Sequence, residues 1–329
     1  MSEDRYEVVR PLGTGHFTAG VYLARHRDLG REAAVKLLPV GALSDRDALL
    51  EEARNMAALA PHENVVQVLD AGDWDSDHVY IASEVCHGGS LATLCSPPAV
   101  PVDPAAACAL VSTACRGLVF MHQQGLVHLD IRPANILLSG GVPKLADFGL
   151  ARWLTNAKVP HVYTPHAAPE MLRDYCGTEA SDQYAMAMTL AHLLTGGAAC
   201  TMPPTPVSEL SWRGFPPLRP LLGLNVPERL IRVLLKATKF EVADRYASIE
   251  AFKRSVDRAT PAVSFAVVGP EAIRSADSGW EIEWVSGRRG WSVRVRRNGR
   301  GVGRLSARGL DEATATRHVS AIVNDLAQP

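Results

Sequence analysis

The chain lacks most features that would assign it to a special class. Its 34 Lys and Arg nearly balance 35 Asp and Glu, for a net charge of −1. No global field therefore favours nucleic acid or a membrane surface, and any such preference must be local. The cysteines Cys86, Cys95, Cys108, Cys115, Cys176 and Cys200 form no C-x-x-C pair and no His/Cys cluster of zinc spacing. They read as scattered reduced thiols, which argues against a disulfide or zinc framework. No run approaches the roughly 20 apolar residues a membrane span needs. Met1–Arg10 is charged and carries no apolar signal segment. The expectation is a cytoplasmic protein with no membrane partner. What is present is a 47% apolar, 21% charged composition over 329 residues. That fits a globular protein with a large domain plus a small one, or two medium ones.

One stretch organises the rest: His128-Leu129-Asp130-Ile131-Arg132-Pro133-Ala134-Asn135, with Asp147-Phe148-Gly149 beginning twelve residues after Asn135. Two acids and an amide beside the apolar run Ile136-Leu137-Leu138 suit a catalytic base and metal ligands at the end of a small hairpin. Upstream, strands over Tyr6–Leu12, Val21–Ala24 and Ala33–Leu38 flank Gly13-Thr14-Gly15-His16-Phe17-Thr18-Ala19-Gly20. Such a glycine turn lets backbone N–H groups approach phosphates, or is a plain hairpin turn. Lys36 inside an apolar strand favours the former, because a buried ammonium needs an anion.

Asp45–Ala60 has helical periodicity through Leu49, Leu50, Ala53, Met56, Ala57 and Leu59. Glu51 and Glu52 sit within it, either solvated or partnering Lys36. Val65–Leu69 and Val79–Val85 read as strands, the second ending at Ser83-Glu84-Val85-Cys86 before Gly88-Gly89. Asp103-Pro104 opens a helix to Gln123 with an apolar stripe of Leu110, Val111, Ala114, Leu118 and Met121. Cys108 and Cys115 lie on it as core residues.

These motifs, in this order from residue 6 to about 258, resemble the protein kinase family. Pro61-His62-Glu63-Asn64-Val65-Val66, Pro133-Ala134-Asn135-Ile136-Leu137 and Asp147-Phe148-Gly149-Leu150-Ala151-Arg152 resemble its bacterial eukaryotic-like Ser/Thr members. The resemblance implies an α+β, two-lobed kinase fold over residues 1–260, with a β-rich lobe to about 86 and a helical lobe from 87. It implies ATP and Mg²⁺ as cofactors and protein substrates as partners. By this resemblance Asp130 is the catalytic base, with Lys36, Arg132 and Asn135 beside it, and Asn135 and Asp147 are the Mg²⁺ ligands. The nucleotide would be bounded by Leu12, Gly13, Gly15, Val21, Ala34, Lys36, Glu52, Glu84, Cys86 and Leu137, with Glu52 pairing Lys36 and the backbone near Glu84 and Cys86 meeting adenine. Ser83 would set the depth of the adenine pocket. The resemblance also pairs Glu170 of Ala168-Pro169-Glu170 with Arg245 and makes Asp182 a brace for the catalytic-loop backbone.

Several positions depart from the family pattern. Thr18 stands for the third glycine, in a loop one residue longer before Val21. Leu129 replaces the arginine that pairs with a phosphorylated activation segment, which argues against that form of gating. Arg132 replaces a lysine, keeping charge in a planar, bulkier group. Tyr163–Ala167 is one residue short of the family's stretch before Ala168-Pro169-Glu170, and touches the peptide-docking surface. Thr155, Tyr163 and Thr164 are activation-segment hydroxyls open to phosphorylation. A pseudokinase scaffold is the alternative these changes leave.

Past Thr260-Pro261-Ala262, residues 261–329 resemble no kinase element. Trp280–Trp284 and Trp291–Arg296 alternate as strands, and Ser286–Gly290 can turn a hairpin. Pairing Trp284 with Trp291 sets Ile282 against Val293, Trp280 against Val295 and Glu281 against Arg294. Asn298-Gly299 turns into a third strand near Gly301–Ala307, and Asp311 caps a helix carrying Ala315, His318, Val319, Ile322, Val323 and Leu326. The expectation is a three-stranded sheet with one helix that buries the tryptophans. Eight arginines and no acid occupy 286–308. They form a solvated or protein-docking face, or a surface for nucleic acid or another acidic partner.

Overall fold

The computed structural model describes residues 5–13, 19–40, 46–47, 50, 53, 57, 61–95, 100–147, 152–153, 165–200 and 218–328, with only the backbone of 152–153. They fall in two compact units, Met1–Gly89 with Ile136–Ala151, and Ser90–Asn135 with Arg152–Pro329.

The first unit is built on five antiparallel strands: β1 (Tyr6–Gly13), β2 (Gly20–His26), β3 (Glu32–Pro39), β4 (Val68–Asp73) and β5 (His78–Ser83). Their order is β1-β2-β3-β5-β4. Alternation along β3 decides its faces. Ala33 and Val35 pack with Tyr6, Ala24, Tyr80 and Ala82, while Ala34 and Lys36 look the other way and are half-buried. Strand β4 starts three residues later than expected, at Val68, because Val65 is committed to an isolated bridge with Leu145. Arg46, Asp47, Leu50, Ala53 and Ala57 are helical, and Leu50 and Ala53 are buried. A second hairpin, β7 (Ile136–Ser139) with β8 (Val142–Leu145), completes this unit.

The second unit is helical around α1 (Pro104–Gln123), with a short β6 (Leu126–Val127) pairing β9 (Arg152–Trp153). Asp103 caps α1 by accepting from Ala105 N and Ala106 N at 3.0 and 3.2 Å, and Pro104 suits the first turn. With a mean hydropathy of 1.5, α1 is long and apolar enough to cross a membrane by length and composition alone. That corrects the reading that no run reaches such a length. Here its stripe (Ala107, Cys108, Val111, Ala114, Leu118, Met121) is buried within the unit. Helix α2 (Pro169–Asp174) precedes α3 (Glu179–Leu194), whose Ser181–Ala191 are all buried. Helices α4 (Glu228–Ala237) and α5 (Ile249–Ala259) follow, the latter capped by Ser248.

Residues 262–329 form a larger sheet than expected. Six strands, β10 (Ala266–Gly269), β11 (Ala272–Arg274), β12 (Trp280–Gly287), β13 (Gly290–Arg297), β14 (Arg300–Gly301) and β15 (Ala307–Leu310), are arranged antiparallel. The expected third strand is split into β14 and β15, both on β13, by a 3-10 turn at Gly303–Leu305. The hairpin register also differs. Trp284 faces Val293, Ile282 faces Val295, Trp280 faces Arg297 and Glu281 faces Arg296. Gly287 pairs Gly290, so the turn is only Arg288-Arg289, and Gly290 just after it takes a φ of +98°, which favours glycine. Helix α6 (Glu312–Leu326), capped by Asp311, lays Ala315, Val319, Ile322 and Val323 on Ile282, Val293 and Val295. Trp280 is buried; Trp284 and Trp291 are half-buried against the same core.

This module is bonded to the helical part of its own unit. Ala105 N donates to Ser264 Oγ (3.0 Å), Asn225 Nδ2 to the Phe265 carbonyl (3.0 Å) and Glu228 N to Asn324 Oδ1 (2.7 Å). Arg229 donates to the carbonyls of Thr260 and Ala327.

Candidate active site

In the first unit Val21, Ala34 and Lys36, three of the expected nucleotide residues, share one sheet face. Cross-strand partners share a face, and β2–β3–β5 register sets Val21 opposite Lys36, Lys36 opposite Ile81, and Ala34 opposite Ser83. Gly13 pairs Val21 at the end of β1, with Leu12 exposed just before it. Gly15 and Thr18 lie outside the described residues. Lys36 Nζ meets Asp147 Oδ1 at 2.5 Å. Its expected partner Glu52 lies outside the described residues, as do Glu51, Phe148 and Gly149.

The ladder of β5 ends at Ser83, so the Glu84 carbonyl and Cys86 amide lie beyond it. The Glu84 side chain is tied down by Lys144 Nζ (2.8 Å) and Gln67 N (2.9 Å). Burial, helped by Glu84, pushes the Cys86 thiol up to about 11, so it is an inert neutral group. Gly88 N donates to the Leu138 carbonyl (2.9 Å), and a Cβ at Gly88 would meet Leu138 at 2.7 Å. This close approach holds the segment after Cys86 against β7, where Leu137 is half-buried.

The second unit holds Asp130, Arg132 and Asn135. Asn135, buried, donates from Nδ2 to both the Asp130 carbonyl (2.9 Å) and Asp130 Oδ2 (2.6 Å). That fixes the amide's orientation and leaves its oxygen as the free end. Arg132 Nε stands 3.6 Å from Asp130 Oδ1. The carboxylate is thus positioned from both sides.

The loop itself hangs from one acid. Asp182, wholly buried in α3, accepts from His128 N (2.8 Å) and Leu129 N (2.7 Å) and meets His122 Nε2 at 2.9 Å. This is the brace expected of Asp182. Sequence reasoning missed His122; an imidazole in the last turn of an apolar helix was the available signal. Leu129 is buried at φ +64°, a conformation costly for a branched residue, and a Cβ on neighbouring Gly177 would come within 2.2 Å of it. The leucine that replaces the arginine is therefore buried with its side chain packed against Gly177.

Glu170 and Arg245 form the expected buried pair. Arg245 Nη1 and Nη2 reach Glu170 Oε1 and Oε2 at 2.9 and 2.7 Å, and Ser181 Oγ donates to Oε1 at 2.8 Å. The other arginine donors go to the carbonyls of Lys239, Ala180 and Phe240. Thr155, Tyr163 and Thr164 lie outside the described residues.

The sequence matches known proteins over most of its length. A family model described as the protein kinase domain matches residues 6–206. A probable serine/threonine-protein kinase of Corynebacterium efficiens is 32% identical over 271 residues, covering 74% of this chain and 39% of the relative. Serine/threonine-protein kinase PrkC of Bacillus subtilis is 30% identical over 269 residues, covering 78% and 40%. Serine/threonine-protein kinase PknB of Mycolicibacterium smegmatis is 34% identical over 207 residues, covering 59% and 33%. The chain spans about two-fifths of the length of the first two. With a β-sheet lobe, a helical lobe and these relatives, the chain belongs to the protein kinase family, among the eukaryotic-like Ser/Thr kinases of bacteria.

Proposed function

We propose that this chain transfers the γ-phosphoryl group of ATP to Ser or Thr hydroxyls of protein substrates, with Asp130 as catalytic base. The observation that carries the reading is the Asp130–Asn135 pair, at 2.6 Å, on a loop suspended from buried Asp182. Phosphoryl transfer is mostly positioning and charge neutralisation. Asp130 takes or orients the hydroxyl proton. Arg132, beside it, offers positive charge where the transferred group develops negative charge. Lys36 holds the nucleotide's α- and β-phosphates, and the Gly13–Gly20 loop covers them. The Asn135 oxygen and the Asp147 carboxylate are hard donors that fit Mg²⁺, which would supply charge neutralisation on the phosphates. Leu129 offers no cation to a phosphorylated segment, so activity is not gated that way.

The reading extends to the C-terminal module as a recruiting surface. Of the eight arginines in 286–308, all but Arg296 are exposed. Arg296 faces Glu281 and Glu283 at 4.0 and 3.4 Å, and Arg274 meets Glu281 at 3.1 Å. The charge offered to an acidic partner is thus concentrated at the Arg288-Arg289 turn and on Arg294, Arg297, Arg300, Arg304 and Arg308. Binding of a nucleic acid there would weaken steeply with salt; binding insensitive to salt, or none, removes that partner.

The test is purified protein with Mg²⁺ and labelled ATP, beside Asp130→Asn, with phosphosites mapped in both. Transfer to itself or to a candidate protein, lost in Asp130→Asn, is the expected result. ATP binding by thermal shift with no turnover would replace the reading with a nucleotide-binding scaffold.

A further inference from the structure

Three soft donors converge in the second unit where nothing in the phosphoryl-transfer reading uses them. His166 comes from the turn before α2, His192 from the last turn of α3, and Cys200 from the 3-10 turn Ala198–Cys200. One ligand atom from each lies within 4.8 Å of the others. His166 Nε2 and Cys200 Sγ are 3.6 Å apart. Ions bonded to nitrogen at about 2.0–2.1 Å and sulfur at about 2.3 Å in a tetrahedron separate those atoms by about 3.6 Å. The two imidazoles stack at 5.6 Å between centroids, His166 is buried, and His192 Nδ1 is a buried nitrogen with no hydrogen-bond partner among the described residues.

We propose that His166, His192 and Cys200 form a site for one thiophilic divalent cation of the Zn²⁺ class, clasping the turn before α2 to the C-terminal end of α3. Two imidazoles and a thiolate suit such an ion and leave one position for water. Burial, with the neighbouring His192 and Arg132, holds His166 down to about 3, so its ring is neutral at neutral pH. Burial, with Cys95 nearby, pushes the Cys200 thiol up to about 12. Binding must therefore release the Cys200 proton, and affinity rises with pH. The clasp has a place to act: His166 and Ala167 line a small cavity together with Leu129, Asp130 and Ile131 of the catalytic loop. Metal occupancy would fix the floor beside Asp130, making the site regulatory.

The test is calorimetric titration of the chelator-treated full chain with Zn²⁺, and with Co²⁺ as a spectroscopic probe. Expected are one Zn²⁺ per chain and a thiolate-to-cobalt charge-transfer band. Cys200→Ala and His192→Ala should each weaken binding at least about tenfold, whereas Cys176→Ser, which removes the exposed thiol, should not. Circular dichroism of the metal-free variants checks their folding. The cobalt band is read on wild type and Cys176→Ser, and so does not depend on whether a ligand variant folds. No Zn²⁺ uptake by wild type, saturation with Co²⁺ without that band, or uptake unchanged in folded Cys200→Ala and His192→Ala would overturn the proposal. In that case the contact is a thiol–imidazole hydrogen bond. None of these readouts involves phosphoryl transfer.

Discussion

Two cation–carboxylate pairs, one in each unit, use the same chemistry to opposite ends. Arg245–Glu170 is bidentate, its guanidinium is 0% exposed, and every nitrogen of the arginine has an acceptor. Lys36–Asp147 is a single contact between side chains 22% and 37% exposed. The first has no freedom to exchange partners, so its worth lies in folding. The second can give up its partner at little cost, as the proposed hold of Lys36 on phosphates would require. Burial and denticity, more than charge, separate a structural pair from a working one.

The sharpest way to break the comparison is Arg245→Ala. It leaves the Glu170 carboxylate buried with only Ser181 donating, and should cost about 3–5 kcal/mol, read as a lower urea midpoint with unchanged slope. Arg245→Lys should recover only part, because one ammonium cannot serve both carboxylate oxygens and the three carbonyls. If the cost of Arg245→Ala is under about 1 kcal/mol, the buried pair is no different in kind from an exposed one.

Asp182 ranks next. Asp182→Ala orphans the His128 and Leu129 amides, at about 1–3 kcal/mol each when buried. It should also loosen the loop carrying Asp130. His122 adds a pH signature. Burial opposes its imidazolium, but the hydrogen bond and charge of Asp182 outweigh that and raise its pKa. A raised folded pKa gives stability that is full below the unfolded value, about 6.5, and is lost as pH rises through the folded one. Wild type should therefore lose stability relative to His122→Gln as pH rises from about 6.5, the unfolded value, through the raised folded one. His122 Nδ1, without a hydrogen-bond partner among the described residues, limits the size of the effect. A flat difference between the two proteins across that range would remove His122 from the brace.

What could be read in advance follows from the range of each constraint. Asp103 and Asp311 act within one helical turn, and both cap where expected. Asp182 and the Glu170–Arg245 pair join distant residues, and only the family resemblance made them visible. In the module, the faces of β12 and β13 were legible but their pairing was not. A shift of two residues keeps every side chain on its face, so the hydrophobic pattern is blind to it. Gly287 and Gly290 allow either a short or a long turn, and packing decides. Strands β10 and β11 are four and three residues long, too short for alternation to announce. His166, His192 and Cys200 have no local spacing at all and meet only through the fold.

A smaller effect is expected at Gly177. A Cβ there would come within 2.2 Å of buried Leu129, so Gly177→Ala should cost about 1–3 kcal/mol by overpacking. The double variant Gly177→Ala, Leu129→Ala should recover part of it, since it exchanges the clash for a void. Additive losses in that cycle would mean the two residues do not share the space.

Lys36→Met closes the series with the smallest expected change in stability, under about 1 kcal/mol, because a partly exposed pair of this kind is worth little net. Methionine conserves length and suits the half-buried face between Val21 and Ile81. The functional outcome should be the reverse of Arg245→Ala: a folded protein whose phosphoryl transfer falls by at least about a hundredfold, the scale of losing one group aimed at developing charge. The two variants thus cross. One loses stability first; the other keeps its stability and loses activity alone. If Lys36→Met instead lowers the urea midpoint as far as Arg245→Ala does, the Lys36–Asp147 pair is structural. Asp147 then holds the sheet rather than a metal, and the catalytic reading of the first unit loses its main support.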